Sequence, residues 1–331
     1  MKTKIAYVLV SSNDDVYLEQ AYISMMSLRH HTPDAVVELL IDKETEKSLT
    51  GRRAEIIKLA NKVTAIDVAG EYNAQQRSRI LKTSLRNYIE GDYLFIDCDT
   101  IVTKPLDDID NCRFDIAACQ DSHSLFKDNP YRDMCVAHGK ILDWPIEKEN
   151  VYFNSGIIYV KDNELTRNFY SKWNEFWREG SLKHVNMDQP SFAKTNYALG
   201  HVVKILDDVW NCELKHGTKY LKDAKIVHYL CTNTDPSPLF VMNSVEELRK
   251  IKNGNINPLI IKCFDDPFVG LTNVSQLICG DDMFVYRSRS YLFLKNHKGS
   301  WAIRLFESGL KFKDRLKGKL KRIVKGLIGK K

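Results

Sequence analysis

The run Asp92-Tyr93-Leu94-Phe95-Ile96-Asp97-Cys98-Asp99 decides the fold class. Four apolar, β-favouring residues lead without a break into two carboxylates one residue apart. A short apolar run of this kind reads as a strand buried on both faces, as strands of parallel sheets are. Such sheets bind their ligands beyond the carboxyl ends of the strands. There the backbone can bend so that Asp97 and Asp99 both turn toward one cation. Hard oxygen ligands suit Mg²⁺ or Mn²⁺, with diphosphate oxygens filling the positions the protein leaves open. Acidic pairs after strands also serve as caps and solvated turns, so the segment alone leaves both readings open.

Working outward, strands and helices alternate. Residues 4–10, 35–41 and 62–68 read as strands, and Tyr17–His31, 44–61 and 77–88 as helices. In the first helix Leu18, Ala21, Met25 and Leu28 share one face. In the second Leu49, Ile56, Ile57 and Leu59 are expected to turn inward. This alternation predicts right-handed crossovers, hence an α/β fold with a mostly parallel central sheet flanked by helices. After Asp99 the pattern changes. Residues 114–119 and 151–160 read as strands, and residues 120–150 between them exceed an ordinary loop, which suggests an insertion or lid. Residues 163–178 form an amphipathic pattern through Leu165, Phe169, Trp173, Phe176 and Trp177. Residues 188–197 read as a short helix, 202–209 and 224–230 as strands, and 243–252 as a helix opened by Ser244 with Glu247 three residues on.

Three more constellations carry polar chemistry. Phe153-Asn154-Ser155-Gly156-Ile157-Ile158 interrupts an apolar strand with a polar trio, either a bulge or a close backbone approach to a ligand, with Asn154 at a sugar hydroxyl. In Asn186-Met187-Asp188-Gln189-Pro190, Asp188 is either a helix cap or a ligand contact. In Ile226-Val227-His228-Tyr229 a lone strand histidine is either a satisfied core residue or the third ligand that the carboxylate pair needs.

Composition bounds the answer further. The 331 residues are 44% hydrophobic and 28% charged, which excludes a disordered chain. Apolar runs such as residues 5–10 fall far short of the ~20 residues of a membrane span. The Met1-Lys2-Thr3-Lys4 start lacks the apolar core and cleavage site of a signal peptide, so a cytoplasmic protein is expected. The eight cysteines are scattered without a C-x-x-C pair and match neither a zinc site nor a disulfide framework. Charge is divided unevenly. Residues 301–331 hold eleven basic residues against Glu307 and Asp314, a net of +9, which leaves −3 for the first 300. In that tail Trp301, Leu305, Phe312, Leu316, Leu320, Ile323 and Leu327 recur every three or four residues, apart from a gap around Gly309. The pattern fits a basic amphipathic helix, either packed on the body or lying on an anionic membrane. No nucleic-acid reader motif accompanies the charge.

With the first strand, these segments resemble glycosyltransferase family 8. That family includes glycogenin and the bacterial glucosyl- and galactosyltransferases that build lipopolysaccharide cores and other surface glycans. The resemblance rests on residues 5–10 and 11–17, Arg79-Ile80-Leu81-Lys82, residues 94–100, residues 153–158, Asp188-Gln189 and Val227-His228-Tyr229, and spans residues 4–240. It implies a GT-A fold, a UDP-sugar donor and a divalent metal, usually Mn²⁺. It carries uridine contacts onto Val8, Val10, Asn13 and Tyr17, with Tyr17 stacked on uracil, and puts Cys98 between the metal ligands at the nucleotide-sugar site. Metal ligation falls on Asp97, Asp99 and His228. Donor-sugar and catalytic contacts fall on Asn154, Asp188 and Gln189, with Asp121 a further sugar contact. Arg79 or Lys82, Arg79 in preference, would meet the diphosphate. On this reading residues 1–240 are the catalytic domain, 241–295 an accessory segment and 296–331 a membrane-associating tail. The product would be a surface glycan, its acceptor a glycan or a lipid-linked sugar, and the enzyme peripheral on the cytoplasmic face of the membrane.

The sequence departs from the better-known members in two places: residues 127–150 match no family segment, which leaves the acceptor site open, and one motif is missing. The usual Gly-x-x-Lys-Pro-Trp after the histidine is replaced by Thr232-Asn233-Thr234-Asp235-Pro236-Ser237-Pro238, and Lys219 and Lys225 are poor substitutes as phosphate ligands. A rival reading takes Asp97 as the nucleophile of a haloacid-dehalogenase-like phosphatase, with Gly280-Asp281-Asp282 as its later acidic motif. Against it, three βα units precede Asp97, and Asn154, Asp188, Gln189 and His228 would go unused. A non-catalytic sugar-binding protein would be expected to have lost the metal carboxylates, and both are present.

Overall fold

The computed structural model describes residues 1–230 and 240–270. The chain runs β1 (Lys4–Leu9), α1 (Tyr17–His31), β2 (Val37–Asp42), α2 (Lys43–Ser48), β3 (Lys62–Ile66), α3 (Ala74–Thr83) and β4 (Tyr93–Ile96). Then come β5 (Thr100–Val102), β6 (Ile116–Gln120), α4 (Arg132–Ile141), β7 (Phe153–Val160), α5 (Glu164–Leu182) and α6 (Asp188–Ala198). Short strands β8 (Lys204–Ile205), β9 (Cys212–Glu213) and β10 (Ile226–His228) precede α7 (Val245–Lys252) and α8 (Pro258–Lys262).

Seven strands form one sheet in the order β3-β2-β1-β4-β7-β6-β8. β1 pairs in parallel with β2 and β4, and β2 with β3. Only β7 runs against its neighbours, β4 and β6. The sequence of β1 shows why both faces are covered. Ile5, Tyr7 and Leu9 pack with Leu18, Ala21, Met25 and Leu28 of α1, as that helix's spacing predicts. Ala6 and Val8 pack on the other side with Leu81, Phe169, Trp173 and Phe192. A strand apolar on alternate and intervening positions needs helices on both faces.

A second, three-stranded sheet has the order β5-β10-β9. Its Ile101, Cys212, Val227 and Tyr229 share a core with Ile23 of α1 and with Phe240, Met242, Leu248 and Ile260. The described part of the 241–295 segment therefore packs against α1 and the small sheet. Residues 120–150 fold over α4 with a core of their own, in which Phe126, Cys135, Leu142, Trp144 and Ile146 meet Tyr152 and Val185.

Several expected elements are corrected. Residues 44–61 are not one helix: α2 ends at Ser48, and a 3-10 turn covers Gly51–Leu59. Gly51 takes φ +53°, which breaks the helical path. Of the four residues expected inward, only Ile56 is fully buried, and Ile57 is exposed. The helix expected over 77–88 starts earlier, at Ala74, because Asn73 and Gln76 form a reciprocal cap. The strand expected over 202–209 shrinks to Lys204–Ile205 at the sheet edge. Leu165 is exposed, so the buried face of α5 is carried by Phe169, Trp173 and Trp177. Among the described residues no helix is long and apolar enough to cross a membrane. The 232–238 motif, Asp281, Asp282 and the tail lie outside the described residues.

Candidate active site

Asp97-Cys98-Asp99 is where the chain passes from the large sheet to the small one. The Asp97 amide donates to Gly156 O at 2.8 Å, which continues the β4–β7 pairing. Thr100 Oγ1 donates to Asp97 O at 2.9 Å, which fixes the bend. β5 then pairs antiparallel with β10 so that Thr100 faces His228, and Tyr229 N donates to Asp99 O at 3.0 Å. Strand pairing alone thus carries a histidine 129 positions downstream of Asp99 to its side. His228 Nε2 lies 3.2 Å from Asp99 Oδ1, and one ligand atom each from Asp97, Asp99 and His228 lie within 4.8 Å of one another.

The tautomer of His228 is set by a neighbour the sequence did not single out. Asn211 Nδ2 donates to Asn154 Oδ1 at 3.0 Å, so Asn211 Oδ1 accepts, at 2.9 Å, from His228 Nδ1. In the neutral ring Nε2, which faces Asp99, would carry the lone pair a metal takes, with the Nδ1 contact in the outer-sphere arrangement typical of metal-bound histidine. Burial pulls the His228 pKa down, but Asp99 and Asp97 outweigh it and raise it. Burial likewise pushes the Asp97 carboxyl up, against the pull of Lys82. Two carboxylates and an imidazole, with an open side, fit Mn²⁺ or Mg²⁺ by donor chemistry.

Gly156 is explained by the same histidine. A Cβ there would overlap His228 Cε1 and come within 2.9 Å of its Nδ1 and of Asn154 Oδ1. The close approach made to β7 is thus that of the imidazole. The bulge reading is also correct on the other edge of the strand, since the β6–β7 register slips between Ala118 and Gln120.

Beside the triad, α3 supplies two cations. Lys82, only 3% exposed, places Nζ 3.1 Å from Asp97 Oδ1 and 3.0 Å from Asp188 Oδ2. Arg79, with its side chain 29% exposed, places Nε 2.9 Å from Asp188 Oδ1. Ser155 Oγ donates to Asp188 Oδ2 at 2.8 Å, and Trp173 Nε1 donates to Asp188 O at 3.0 Å. Asp188 is therefore not the cap of α6: Met187 holds that position, and the carboxylate turns to the cations instead. Burial alone would raise its pKa; Arg79, Lys82 and Ser155 outweigh burial and hold it well below the usual carboxylate range. Asp188 in turn raises Arg79.

A third group centres on buried Asp121. Its Oδ1 accepts from Gln189 Nε2 at 2.8 Å and Asn154 Nδ2 at 3.2 Å, and its Oδ2 from Asn129 Nδ2 at 2.7 Å. Asp121, Asn154 and Gln189 are thus brought together. Val8, near the end of β1, and Val10, just past it, are buried, and Cys98 Sγ donates to Val8 O at 3.2 Å. Burial with Asp97 and Asp99 pushes the Cys98 thiol well up, so it stays protonated. Asn13 is exposed in the following loop, and Tyr17, 39% exposed, opens α1. Asp15 ties that loop together, accepting from Ser11 Oγ at 2.6 Å, Ser12 N at 2.7 Å and Tyr17 N at 3.1 Å. Lys225 is engaged elsewhere, with Nζ 2.8 Å from Asp108 Oδ1.

Comparison with known proteins adds an independent line. The model of glycosyl transferase family 8 matches residues 8–236. The chain belongs to glycosyl transferase family 8. The phosphatase reading of Asp97 falls with that match, which covers all the residues it would leave unused. No curated protein matches the sequence. Among solved structures, the galactosyltransferase LgtC, determined with donor and acceptor sugar analogues, superposes with a TM-score of 0.50 at 15% identity, over 77% of this chain and 98% of that one. An active-site mutant of LgtC gives 0.51 at 14% identity, over 77% and 98%. Mouse xyloside xylosyltransferase 1 gives 0.46 at 15% identity, over 71% and 100%. Identities this low speak for the fold alone: this family 8 chain has the GT-A fold, and its cluster of Asp97, Asp99 and His228 sits where the two sheets meet.

Proposed function

We propose that the protein is a metal-dependent, retaining hexosyltransferase. It moves glucose or galactose from a UDP-sugar to a glycan or lipid-linked acceptor in surface polysaccharide synthesis, of the lipopolysaccharide type. The observation that carries this is the convergence of Asp97, Asp99 and His228 beside Arg79 and Lys82. Mn²⁺ or Mg²⁺ held by the three ligands supplies positive charge for the leaving diphosphate. Arg79, the more exposed of the two α3 cations, contacts that diphosphate and stabilises the charge that grows on it. Lys82, buried between Asp97 and Asp188, bridges the two carboxylates and offsets their mutual repulsion. Uracil stacks on Tyr17, and Val8, Val10, Asn13 and Cys98 contact the nucleotide.

Asp188 and Gln189 are poorly suited to attack the sugar. Both Asp188 oxygens are engaged by cations and Ser155, and a side-chain amide such as that of Gln189, whose Nε2 donates to Asp121, is a poor nucleophile. Their role is to position the donor sugar together with Asn154. The acceptor oxygen therefore attacks from the face the diphosphate leaves, and its proton passes to the departing phosphate. Residues 120–150 and their small core exclude water and orient the acceptor. The basic tail holds the enzyme on the anionic cytoplasmic face of the membrane, near a lipid-linked acceptor.

A mass-spectrometric screen of UDP-sugars with Mn²⁺ tests the reading. One UDP-hexose should be cleaved, EDTA should stop the reaction, and Asp99→Asn should lower the rate by ~10²-fold or more. Full rate in EDTA, or in Asp99→Asn, overturns it.

A further inference from the structure

α1 carries two serines, Ser24 and Ser27, one turn apart and fully buried where the helix packs on β5. Serine is a poor choice for a helix interior, because its hydroxyl competes for the helix's own carbonyls. Ser27 does donate to Ser24 O, at 2.7 Å, but its oxygen also accepts from Val102 N at 2.9 Å. β5 ends the order β5-β10-β9, so its outward amide is left for a partner other than β10. At the end of the helix, Thr32 Oγ1 accepts from Leu106 N at 3.2 Å. Hydroxyls of α1 thus stand where a neighbouring strand would.

Ser24 reaches further, to the acidic motif. Thr100 Oγ1 spends its one hydrogen on Asp97 O. The 2.7 Å contact between Ser24 Oγ and Thr100 Oγ1 therefore has Ser24 as donor. With that hydrogen spent, the 3.0 Å contact between Tyr7 and Ser24 has the phenol as donor. Burial raises the pKa of Tyr7, so its hydrogen is retained. The result is one directed row of hydroxyls, from Tyr7 to Ser24 to Thr100 to Asp97 O. It runs from the middle of β1 to the bend that turns Asp97 and Asp99 toward His228. Tyr7, Ser24 and Thr100 are all fully buried, where losing one member leaves the next unpaired.

We propose that Ser24 is a positioning residue for the metal ligands: it holds the Thr100 hydroxyl, and through it the bend at Asp97–Asp99, in register with α1. This role rests on the metal reading above. It goes beyond that reading by placing part of the ligand geometry in a helix that supplies none of the three ligands.

Calorimetric Mn²⁺ titration of the full-length chain, beside thermal melts, tests it. Ser24→Ala and Thr100→Val should each lower Mn²⁺ affinity by about tenfold, the lower end of the scale for a lost supporting contact. Thr100→Ser, which keeps the hydroxyl, should bind Mn²⁺ as the wild type does. Tyr7→Phe removes only the far end of the row, so it should lower the melting temperature and leave Mn²⁺ affinity unchanged. Because Ser24 and Thr100 act in one row, the Ser24→Ala/Thr100→Val double variant should bind no more weakly than the weaker single variant. Wild-type affinity in Ser24→Ala, losses that add in the double variant, or an equal loss in Tyr7→Phe overturns the positioning role. Should Ser24→Ala not fold, Thr100→Val and Thr100→Ser decide, and equal affinities in those two overturn it. Binding by the wild type that is unchanged in Ser24→Ala and Thr100→Val sinks the positioning role alone. No Mn²⁺ binding by the wild type sinks the metal reading and takes this role with it.

Discussion

Gly156 and His228 illustrate how one side chain dictates another. Because the imidazole lies against β7, Gly156→Ala must push the ring out of line with Asp99 and Asn211. We expect Mn²⁺ affinity to fall by about tenfold or more, the scale for disturbing a ligand's supporting contacts. The stability loss should stay near the ~1–3 kcal/mol of an overpacked site. Calorimetric Mn²⁺ titration beside a thermal melt separates the two, and unchanged affinity in a destabilised protein would show that the ring is not a ligand. Glu213, next to Asn211 and paired with His228 across β9 and β10, offers a second test. It is fully buried, its carboxylate accepts from Ser122 N at 3.2–3.3 Å with His216 Nε2 3.6 Å away, and burial with Asp121 pushes its pKa well above the usual range. A carboxyl raised in the folded state contributes most below its unfolded pKa of ~4.3, and that contribution is lost as pH rises toward the folded value. Glu213→Gln should therefore melt higher than wild type at pH 7 and at the same temperature at pH 4. Equal melting temperatures at both pH values would count against a raised pKa.

The small sheet is the element that assembles the candidate metal ligands, because β5 continues the acidic motif while β10 carries His228 and β9 follows Asn211. Asn211→Ala removes the acceptor for His228 Nδ1 and a donor to Asn154. Mn²⁺ affinity should drop by ~10–100-fold. The melting temperature should fall only modestly, and Asn211→Asp, which keeps the acceptor, should recover most of the affinity; failure of that recovery would place Asn211 in the packing alone. These elements also show what the sequence made legible. Apolar runs of β1, β2 and β4 name themselves, because parallel strands are hydrophobic on both faces. Asp97 and Asp99 stand out as carboxylates after an apolar run, whereas Asp188 stands out through the family resemblance. What hid was partnership over distance: nothing in Trp210-Asn211-Cys212 marks Asn211 as the group that fixes a histidine 17 positions away. For the same reason Asp188 read equally well as a cap, since a cap and a cation partner look alike until Arg79 and Lys82 are placed beside it. Residues 44–61 misread as one helix because helical spacing of apolar residues persists across Thr50-Gly51, while the break depends on one residue at positive φ.

On the scale of the whole molecule, charge is divided unevenly. The first 300 residues are slightly acidic and residues 301–331 carry a net +9. If the acceptor is lipid-linked in an anionic leaflet, as proposed above, such a tail would bring the enzyme to it. Near such a surface each Lys or Arg contributes roughly 1 kcal/mol, and an apolar stripe adds burial. Deleting residues 301–331 should therefore release the protein from anionic vesicles and leave cleavage of a soluble UDP-sugar nearly unchanged, because the metal triad and the α3 cations all precede residue 230. Transfer to a lipid-linked acceptor should fall. Binding by the full-length chain should weaken as salt rises, since the Debye length contracts from ~10 Å at ~0.1 M to ~3 Å at ~1 M. Flotation with anionic vesicles at low and high salt, on full-length and shortened chains, measures each of these. If the full-length protein stays out of the vesicle fraction at low salt, the tail is not an anchor. If shortening unfolds the body, the stripe belongs to its core, and the lipid-linked acceptor loses its main support.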